Sequence, residues 1–552
     1  MFCTVFECLA FARGRNELVE AGSWIYDAMA AIALEQGRLD FTGKAPLSVG
    51  EIRFFLEEAD YGALSEAGRV QYDRVEAYCN HEALGFGSDV IRLAFEVEVN
   101  GEGYYKQNDD LEWVYGRYDK GDFLYVPVKI EGGDCFTMMM EAKLALNNNT
   151  QENDDNYTSV PLAADEIDIN FPDIGYFSTS KTLFDGKAIA AFKIGKGSSD
   201  FSRTLTGSIV QSRYFTGSSY AELSFYAKNF RYAMMVDEFN VDKYFYSHEV
   251  SMRFFKKLTV TLREALLVYS SMELRYLNPW TIFHGFAAWR DYGSHESNTC
   301  DYLGINMSYA PIKFLRVYGE FAMTQFQTPY ETSNYSDDVT PNGLGFQGGV
   351  ESFLPHKGGY WHFWLEGTYT QPYLYIKESP DWSLVRNYRE NLGDTKYVFY
   401  EWLGSPYGPD TVAGKLSVEY EKPGKWSLGA SYLLKVGGLN SGTKVFDDLD
   451  WHEGDEYVID DSDEGAANRA NWAYPDTDAQ GEEEASSRQD ASTPSGVNEY
   501  VNVISLFATW SPRDNVTFSL QPSYVFVFNY YNESGRNESG FEIAFSTKIK
   551  VF

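Results

Sequence analysis

The chain has 552 residues, a formal charge of −34 and 17% aromatic residues, mostly 41 Tyr and 39 Phe. That charge excludes a nucleic-acid partner, which needs clustered Lys and Arg against phosphate. Mean hydropathy is slightly negative, and no apolar run reaches the roughly 18 residues of a membrane helix, which excludes a helical membrane protein.

Residues 1–15 read as the remnant of a signal peptide whose start lies upstream. Met1 to Ala12 is apolar and ends in Ala10-Phe11-Ala12, a small-x-small cleavage pattern, although a basic start is missing and Glu7 interrupts the run. Residues 16–85 read as a small helical bundle. Ser23 can cap a helix with Ile25, Met29 and Ile32 on one face. Ser48 and Glu51 form a capping box ahead of Ile52, Phe55, Leu56 and Ala59. A third helix from about Ser65 carries Val70, Arg74, Tyr78 and Cys79 along one side. Such a bundle buries too little surface to stand alone. It is expected to dock through Trp24, Tyr26, Phe54 and Phe55 on the short-turn mouth of the β-rich remainder of the chain. Glu51, Glu57, Glu58 and Asp60 would then face Lys256, Lys257, Lys313, Lys422, Lys425 and Arg513.

From 86 to 552 the reading is an antiparallel β-barrel. Leu93, Phe95, Val97 and Val99 alternate, as do Leu124, Val126 and Val128, and Met138, Met140, Ala142, Leu144 and Leu146. Four hairpins succeed them, with turns at 256–257, 310–313, 421–425 and 511–514, each carrying a base. Long connections separate them, notably 325–345 and 437–498. Short turns on one side and long loops on the other are the asymmetry of an outer-membrane barrel, the short side periplasmic. A soluble sandwich array or propeller is the competing class, and it does not alternate so regularly. From Asp447 to Asp490 there are sixteen acidic residues against Arg469 and Arg488, a composition that cannot bury a core. Asp460-Asp461-Ser462-Asp463-Glu464 concentrates oxygen ligands, which makes divalent cations a candidate partner. The spacing is not that of a calcium loop, and a solvated surface loop is the favoured reading.

The chain closes with long alternating strands. Val516, Phe518, Leu520, Pro522, Tyr524, Phe526, Phe528 and Tyr530 share one face of an extended segment of about sixteen residues. Phe541, Ile543, Phe545, Ile549 and Val551 share a face of the last, with Phe552 out of phase.

Three segments of this barrel region, Glu273 to His284, Arg316 to Phe321 and Leu403 to Asp410, in that order and spacing resemble the Wzi-type capsule-assembly outer-membrane barrels. Glu273-Leu274-Arg275-Tyr276-Leu277-Asn278-Pro279-Trp280, followed by Phe283-His284, is similar to that family's Leu-Asn-Pro segment. Leu403-Gly404-Ser405-Pro406-Tyr407-Gly408-Pro409-Asp410 is similar to its Gly-x-Pro-x-Gly-Pro-Asp segment. Arg316-Val317-Tyr318-Gly319-Glu320-Phe321 resembles a strand between them, and Ala21 to Asp27 resembles the helical leader of related proteins. The similarity is clearest over 250–435. It implies a transmembrane barrel of about eighteen strands braced by a periplasmic helical bundle. It also implies a non-catalytic part in binding or assembling surface polysaccharide. The alternative function is a porin or uptake channel for small molecules.

The chemistry-bearing residues do not cluster in sequence. None of the seven histidines lies in a metal-ligand spacing, and no nucleophile elbow or phosphate loop is present. His284 and His295 flank Asp291 and could meet Glu296, but lone histidines are more often structural. No enzyme, cofactor or metal site is expected. Tyr330, Tyr335, Trp382, Tyr388, Trp451 and Trp472 stand in loops beside carboxylates and amides, where they could stack on sugars; interface anchoring is the simpler reading. Cys3 and Cys8 fall in the leader, and Cys79, Cys135 and Cys300 are too scattered for a disulfide framework or zinc site. The expected partners are outer-membrane lipid and surface polysaccharide, the expected state is a monomer, and no single ligand-binding residue stands out.

Overall fold

The computed structural model describes residues 9–41, 43–88, 90–111, 122–146, 158–161, 167–170, 174–283, 299–330, 341–377, 383–392, 395–446 and 492–551. Its strands close into an antiparallel barrel of 18. Strand β1 comes in two parts, Arg92–Phe95 and Glu98–Lys106, in one register against β2 (Leu124–Gly132). The wall continues through β3 (Phe136–Leu146), β4 (Ile167–Asn170 and Gly175–Leu183), β5 (Ala188–Gly197) and β6 (Ser218–Ala227). Next come β7 (Phe230–Asn240), β8 (Lys243–Phe254), β9 (Leu258–Tyr269), β10 (Thr299–Tyr309) and β11 (Leu315–Gln325). After these stand β12 (Gly343–His356), β13 (Gly359–Thr370), β14 (Thr411–Lys422) and β15 (Trp426–Gly437). Last are β16 (Glu499–Arg513), β17 (Val516–Phe528) and β18 (Asn537–Lys550). Pairing of β18 with β1, Ile549 opposite Val99, closes the ring.

The apolar face of each strand points outward, the reverse of a soluble β-protein. On β17 the inward Ser523, Val525 and Val527 are buried, whereas the outward Leu520, Tyr524 and Phe528 are 42%, 45% and 47% exposed. The same outward row appears as Met140, Leu223, Met307, Leu365, Leu428 and Phe545 around the ring. Trp361, Trp426 and Trp510 stand exposed where their strands meet the short turns. An apolar belt with an aromatic rim is the surface that a bilayer stabilises. β17 stops at Phe528, thirteen residues long rather than about sixteen, because Asn529 turns into the left-handed region and Tyr530 is buried in a 3-10 turn.

Turns of two to five residues, such as 228–229, 255–257, 310–314 and 357–358, lie at one end. The strand ends that the longer connections 198–217, 270–298, 326–342, 371–410 and 438–498 join lie at the other, together with one tight turn at 241–242. Helices α1 (Trp24–Glu35), α2 (Val49–Leu56) and α3 (Glu66–Cys79) fill the short-turn mouth. Their caps are local. Ser23 accepts from the Ile25 amide, Ser48 and Glu51 bond reciprocally, and Ser65 accepts from the Gly68 amide. The alanines of α1 keep it slim, so it is buried nearly all round. On α3 the buried face is Ala67, Gly68, Gln71, Val75 and Cys79. Val70 is instead exposed, because the helix turns its polar side outward.

Docking uses the main chain of the short turns and side chains at the strand ends. The Leu39 amide donates to Lys256 O at 2.8 Å, the Phe314 amide to Leu34 O at 2.6 Å, and Tyr360 Oη to Glu35 at 2.6 Å. Tyr26, Phe54 and Phe55 are buried, Phe55 against Tyr226 of β6, while Trp24 keeps an exposed edge. The ion pairs include Arg253 with Glu58 at 2.8 Å and Lys193 with Glu51 at 3.3 Å, where the wall supplies the base, and Arg74 of α3 with Glu421 at 3.1 Å, where the helix does. The turn lysines expected to pair with α2 are replaced in that role by bases on the inner wall, which can desolvate against the helices. The segment assigned to a leader is partly built into the fold: Leu9–Ala12 pairs with the strand Glu82–Gly87, and the Gly14 amide donates to Glu131 at 2.9 Å.

Candidate functional site

The chemistry of this chain faces the lumen. Across β5 to β9, inward positions alternate in sign: Lys193, Glu222, Arg231, Glu249 and Arg263. Arg263 meets Glu249 at 2.7 Å, Arg231 meets Glu222 at 3.4 Å, and Lys193 meets Glu222 at 3.7 Å. Lys44, between α1 and α2, adds contacts to Glu249 at 3.1 Å and Glu222 at 3.5 Å. Burial pushes the Lys44 ammonium down to about 8, with Glu249 opposing the shift. An isolated charge could not persist there; the alternation supplies each with a partner.

A second set of inward carboxylates holds a segment that enters from the opposite end. Residues 198–217, between β5 and β6, are almost entirely buried within the barrel. Glu320 of β11 accepts from the Ser208 hydroxyl at 2.9 Å and the Ile209 amide at 3.1 Å, and also from Ser202. Glu366 of β13 accepts from the Leu205 amide at 2.8 Å and the Thr206 amide at 2.9 Å. Glu351 of β12 pairs with Arg203, which reaches Asp27 of α1 at 2.8 Å, and with Arg316 at 3.0 Å. Apolar Ile209 and Val210 seat beside glycines, Val210 at Gly304 of the wall and Ile209 at Gly404 of the connection before β14. A Cβ on Gly304 would stand 2.3 Å from Val210, and one on Gly404 would stand 2.1 Å from Ile209 O.

The two insertions meet inside the lumen. Ala45 and Asp200 exchange main-chain hydrogen bonds of 3.1 and 3.0 Å. Burial pushes the Asp200 carboxyl up, against the pull of Arg213, whose amide donates to it at 2.7 Å. The hairpin Val385–Leu392 and Thr395–Trp402 adds a layer on the long-loop side, where the Ser212 amide donates to Leu403 O at 2.9 Å. The Gly-x-Pro-x-Gly-Pro-Asp segment belongs to this layer. Buried Asp410 accepts from the amides of Asn440 at 3.1 Å and Ser495 at 2.9 Å, so one carboxylate clasps both ends of the acidic connection. Against β14 to β17 a polar cavity of about 260 Å³ remains, lined by Ser417, Ser431, Ser505 and Gln521, with Arg213 and Lys415.

Of the residues the sequence nominated, Tyr330 is exposed at the long-loop end. His284, Asp291, His295, Glu296, Tyr335, Trp382, Trp451, Trp472, the side chain of Tyr388 and the acidic run 460–464 lie outside the described residues. Among the described residues no group of three or more His, Cys, Asp or Glu is placed to hold a metal ion. Sequence reasoning missed the lumenal carboxylates and the segment 198–217. The available signals were charges at alternate strand positions, and a connection rich in Ser and Thr where its neighbours are rich in Asp and Asn.

No protein-family model matches the chain, and no curated protein matches it. Among solved structures it is similar to Wzi of Escherichia coli, an outer-membrane protein involved in group 1 capsule assembly and a carbohydrate-binding β-barrel. Identity is 10% over 97% of this chain and 99% of that one, with a TM-score of 0.56. OprD of Pseudomonas aeruginosa aligns at 7% identity over 83% of this chain and 96% of its own, with a TM-score of 0.38. A loop-deletion form of OmpT, an outer-membrane protein of Vibrio cholerae, aligns at 9% over 84% and 99%, with a TM-score of 0.33. The last two scores are too low to establish a shared fold. The Wzi-type architecture expected from residues 250–435 is the architecture found.

Proposed function

We propose that this barrel is a non-catalytic outer-membrane protein that binds surface polysaccharide, or helps to attach or assemble it, at its long-loop end. Its short-turn mouth and helices then face the periplasm. The observation that carries this reading is the filled lumen. Helices from one end and residues 198–217 from the other interlock through Ala45 and Asp200, an arrangement suited to a scaffold more than to free diffusion. Similarity along almost the whole chain to a carbohydrate-binding barrel adds support for the ligand class. Outer-membrane lipid, surface glycan and divalent cations at the acidic loop are the partners in this reading, and the protein acts as a monomer. Deleting the gene and staining for surface carbohydrate tests it: retained glycan should fall, and unchanged surface staining would sink the proposal.

A channel for small solutes is the second reading, favoured by the polar cavity along β14 to β17. Planar-bilayer recording separates the two. Large steady currents in the full-length protein favour the channel, and a silent barrel that retains glycan favours the scaffold.

A further inference from the structure

Residues 270–283 begin the connection after β9, and they fold down the outside of the barrel rather than over its mouth. The two faces of β9 show this. Its inward Ala265 and Leu267 pack with the lumenal segment, whereas its outward Leu266 and Val268 pack with Tyr246, Tyr276 and Phe283. Tyr276 lies 5.1 Å from outward Tyr246 of β8, and Phe283 stacks on outward His248 at 4.6 Å. The main chain is tied to the wall as well. The Glu273 amide donates to Tyr246 Oη at 3.0 Å, and Tyr232 Oη donates to Pro279 O at 3.2 Å.

The depth of this strap is set by the strand beneath it. Phe254 ends β8 at the short turns with its ring exposed. His248 stands six residues higher on the same outward row, about 15 Å up a strand rising ~3.3 Å per residue at ~40° tilt, inside a belt about 25 Å tall. Leu223, in the same cross-strand row as His248, is exposed like the rest of the belt, while His248 is covered. What the strap presents outward includes large apolar side chains, Leu274 at 79%, Trp280 at 89% and Ile282 at 67% exposure, beside the exposed Asn278 and an Arg275 that pairs with Glu273 and lies over the Tyr276 ring. Irregular backbone survives at hydrocarbon depth only when its polar groups are satisfied by protein. The bonds to Tyr246 and Tyr232, that from the Trp280 amide to the Asn278 side chain at 3.2 Å, and those of the Tyr276, Asn278 and Thr281 amides to carbonyls within the strap satisfy part of its main chain in this way.

We propose that residues 270–283 are a membrane-embedded lateral strap, and that Leu274, Trp280 and Ile282 contact bilayer lipid as a continuation of the belt. The strap rests on the membrane placement of the barrel, so the test must distinguish the two. Full-length protein with Cys3, Cys8 and Cys135 replaced by serine is refolded into phosphatidylcholine vesicles. Leu274→Cys and Ile282→Cys carry nitroxide labels, beside Leu223→Cys in the belt and Tyr330→Cys at the long-loop end, each first checked for heat-modifiable migration. Collision with oxygen, which concentrates in the bilayer, should exceed collision with a water-soluble nickel chelate at 274 and 282 as it does at 223, with the reverse at 330. Nickel collisions at 274 and 282 with oxygen still favoured at 223 overturn the strap alone. Nickel access at 223 too overturns the membrane placement with it, and access by neither reagent at 274 and 282 means that protein covers them, also against the proposal. Independently of labelling, quenching by brominated phosphatidylcholine should drop in Trp280→Phe relative to the parent; equal quenching counts against lipid contact.

Discussion

The Glu320 carboxylate on β11 accepts the main-chain amide of Ile209 at 3.1 Å, across 111 residues of chain. It also takes the hydroxyl of Ser208 and the side-chain amide of Asn306, at 2.9 and 3.2 Å. An inward acid on a membrane strand here replaces water for a buried turn of main chain. Glu320→Ala leaves those donors without an acceptor, and each buried unsatisfied group costs about 1–3 kcal/mol. The urea midpoint in detergent should fall and bilayer current noise should rise as residues 198–217 loosen. Glu320→Gln keeps one acceptor oxygen and should lose less. An Ala variant with both readings unchanged would mean that this segment is held elsewhere.

Gly304 makes the complementary prediction. Its missing side chain is the space that Val210 fills, 2.3 Å from where a Cβ would stand. Gly304→Val should destabilise the barrel by about 1–3 kcal/mol, the usual cost of overpacking. Val210→Ala in the same chain should recover part of it, a coupling that a double-mutant cycle measures directly. Strict additivity would separate the two residues.

Arg253 anchors the helices to the wall. Its guanidinium is buried, bonds both Glu58 oxygens at 2.9 and 2.8 Å, and reaches Leu39 O at 3.0 Å. Arg253→Ala leaves the Glu58 carboxylate with Arg38 alone, 3.1 Å away, and the Leu39 carbonyl without its donor, and should cost about 1–3 kcal/mol. Arg253→Lys should restore little, since an ammonium lacks the planar fork. Removing residues 16–80 altogether should lower the melting temperature and raise conductance. A truncated barrel that melts and conducts like the full chain would make the bundle a tethered module.

Lys44 should give stability a slope in mildly alkaline solution. Its folded-state value lies near 8 because burial disfavours the ammonium, against 10.5 in the unfolded chain. Between those values the unfolded state binds the extra proton, so stability rises with pH; below about 8 the cost of the buried charge is fully present. Urea midpoints from pH 7.5 to 10 should therefore climb more steeply for the natural chain than for Lys44→Met. Parallel curves would place the titration elsewhere.

The sequence alone determined what each residue's immediate surroundings dictate. The outward row Leu520, Tyr524 and Phe528 was legible because lipid contact selects apolar side chains at every second position. The caps at Ser23 and Ser48 were legible because donor and acceptor lie within three residues. The short turns were legible from their bases, Gly and Pro, and the order of motifs over 250–435 carried the architecture. Only the tertiary structure decided which charges face one another. Glu320 and Ser208, or Arg253 and Glu58, are joined by closure of the ring, and nothing local to either names its partner. The same limit explains why bases on the inner wall, rather than Lys256 or Lys313, bind the helices. It also explains why Tyr246, Leu266 and Val268, on the outward faces of β8 and β9, lie beneath residues 270–283. A period of two says on which side of the wall a side chain stands; what covers it there depends on where distant segments of the chain return.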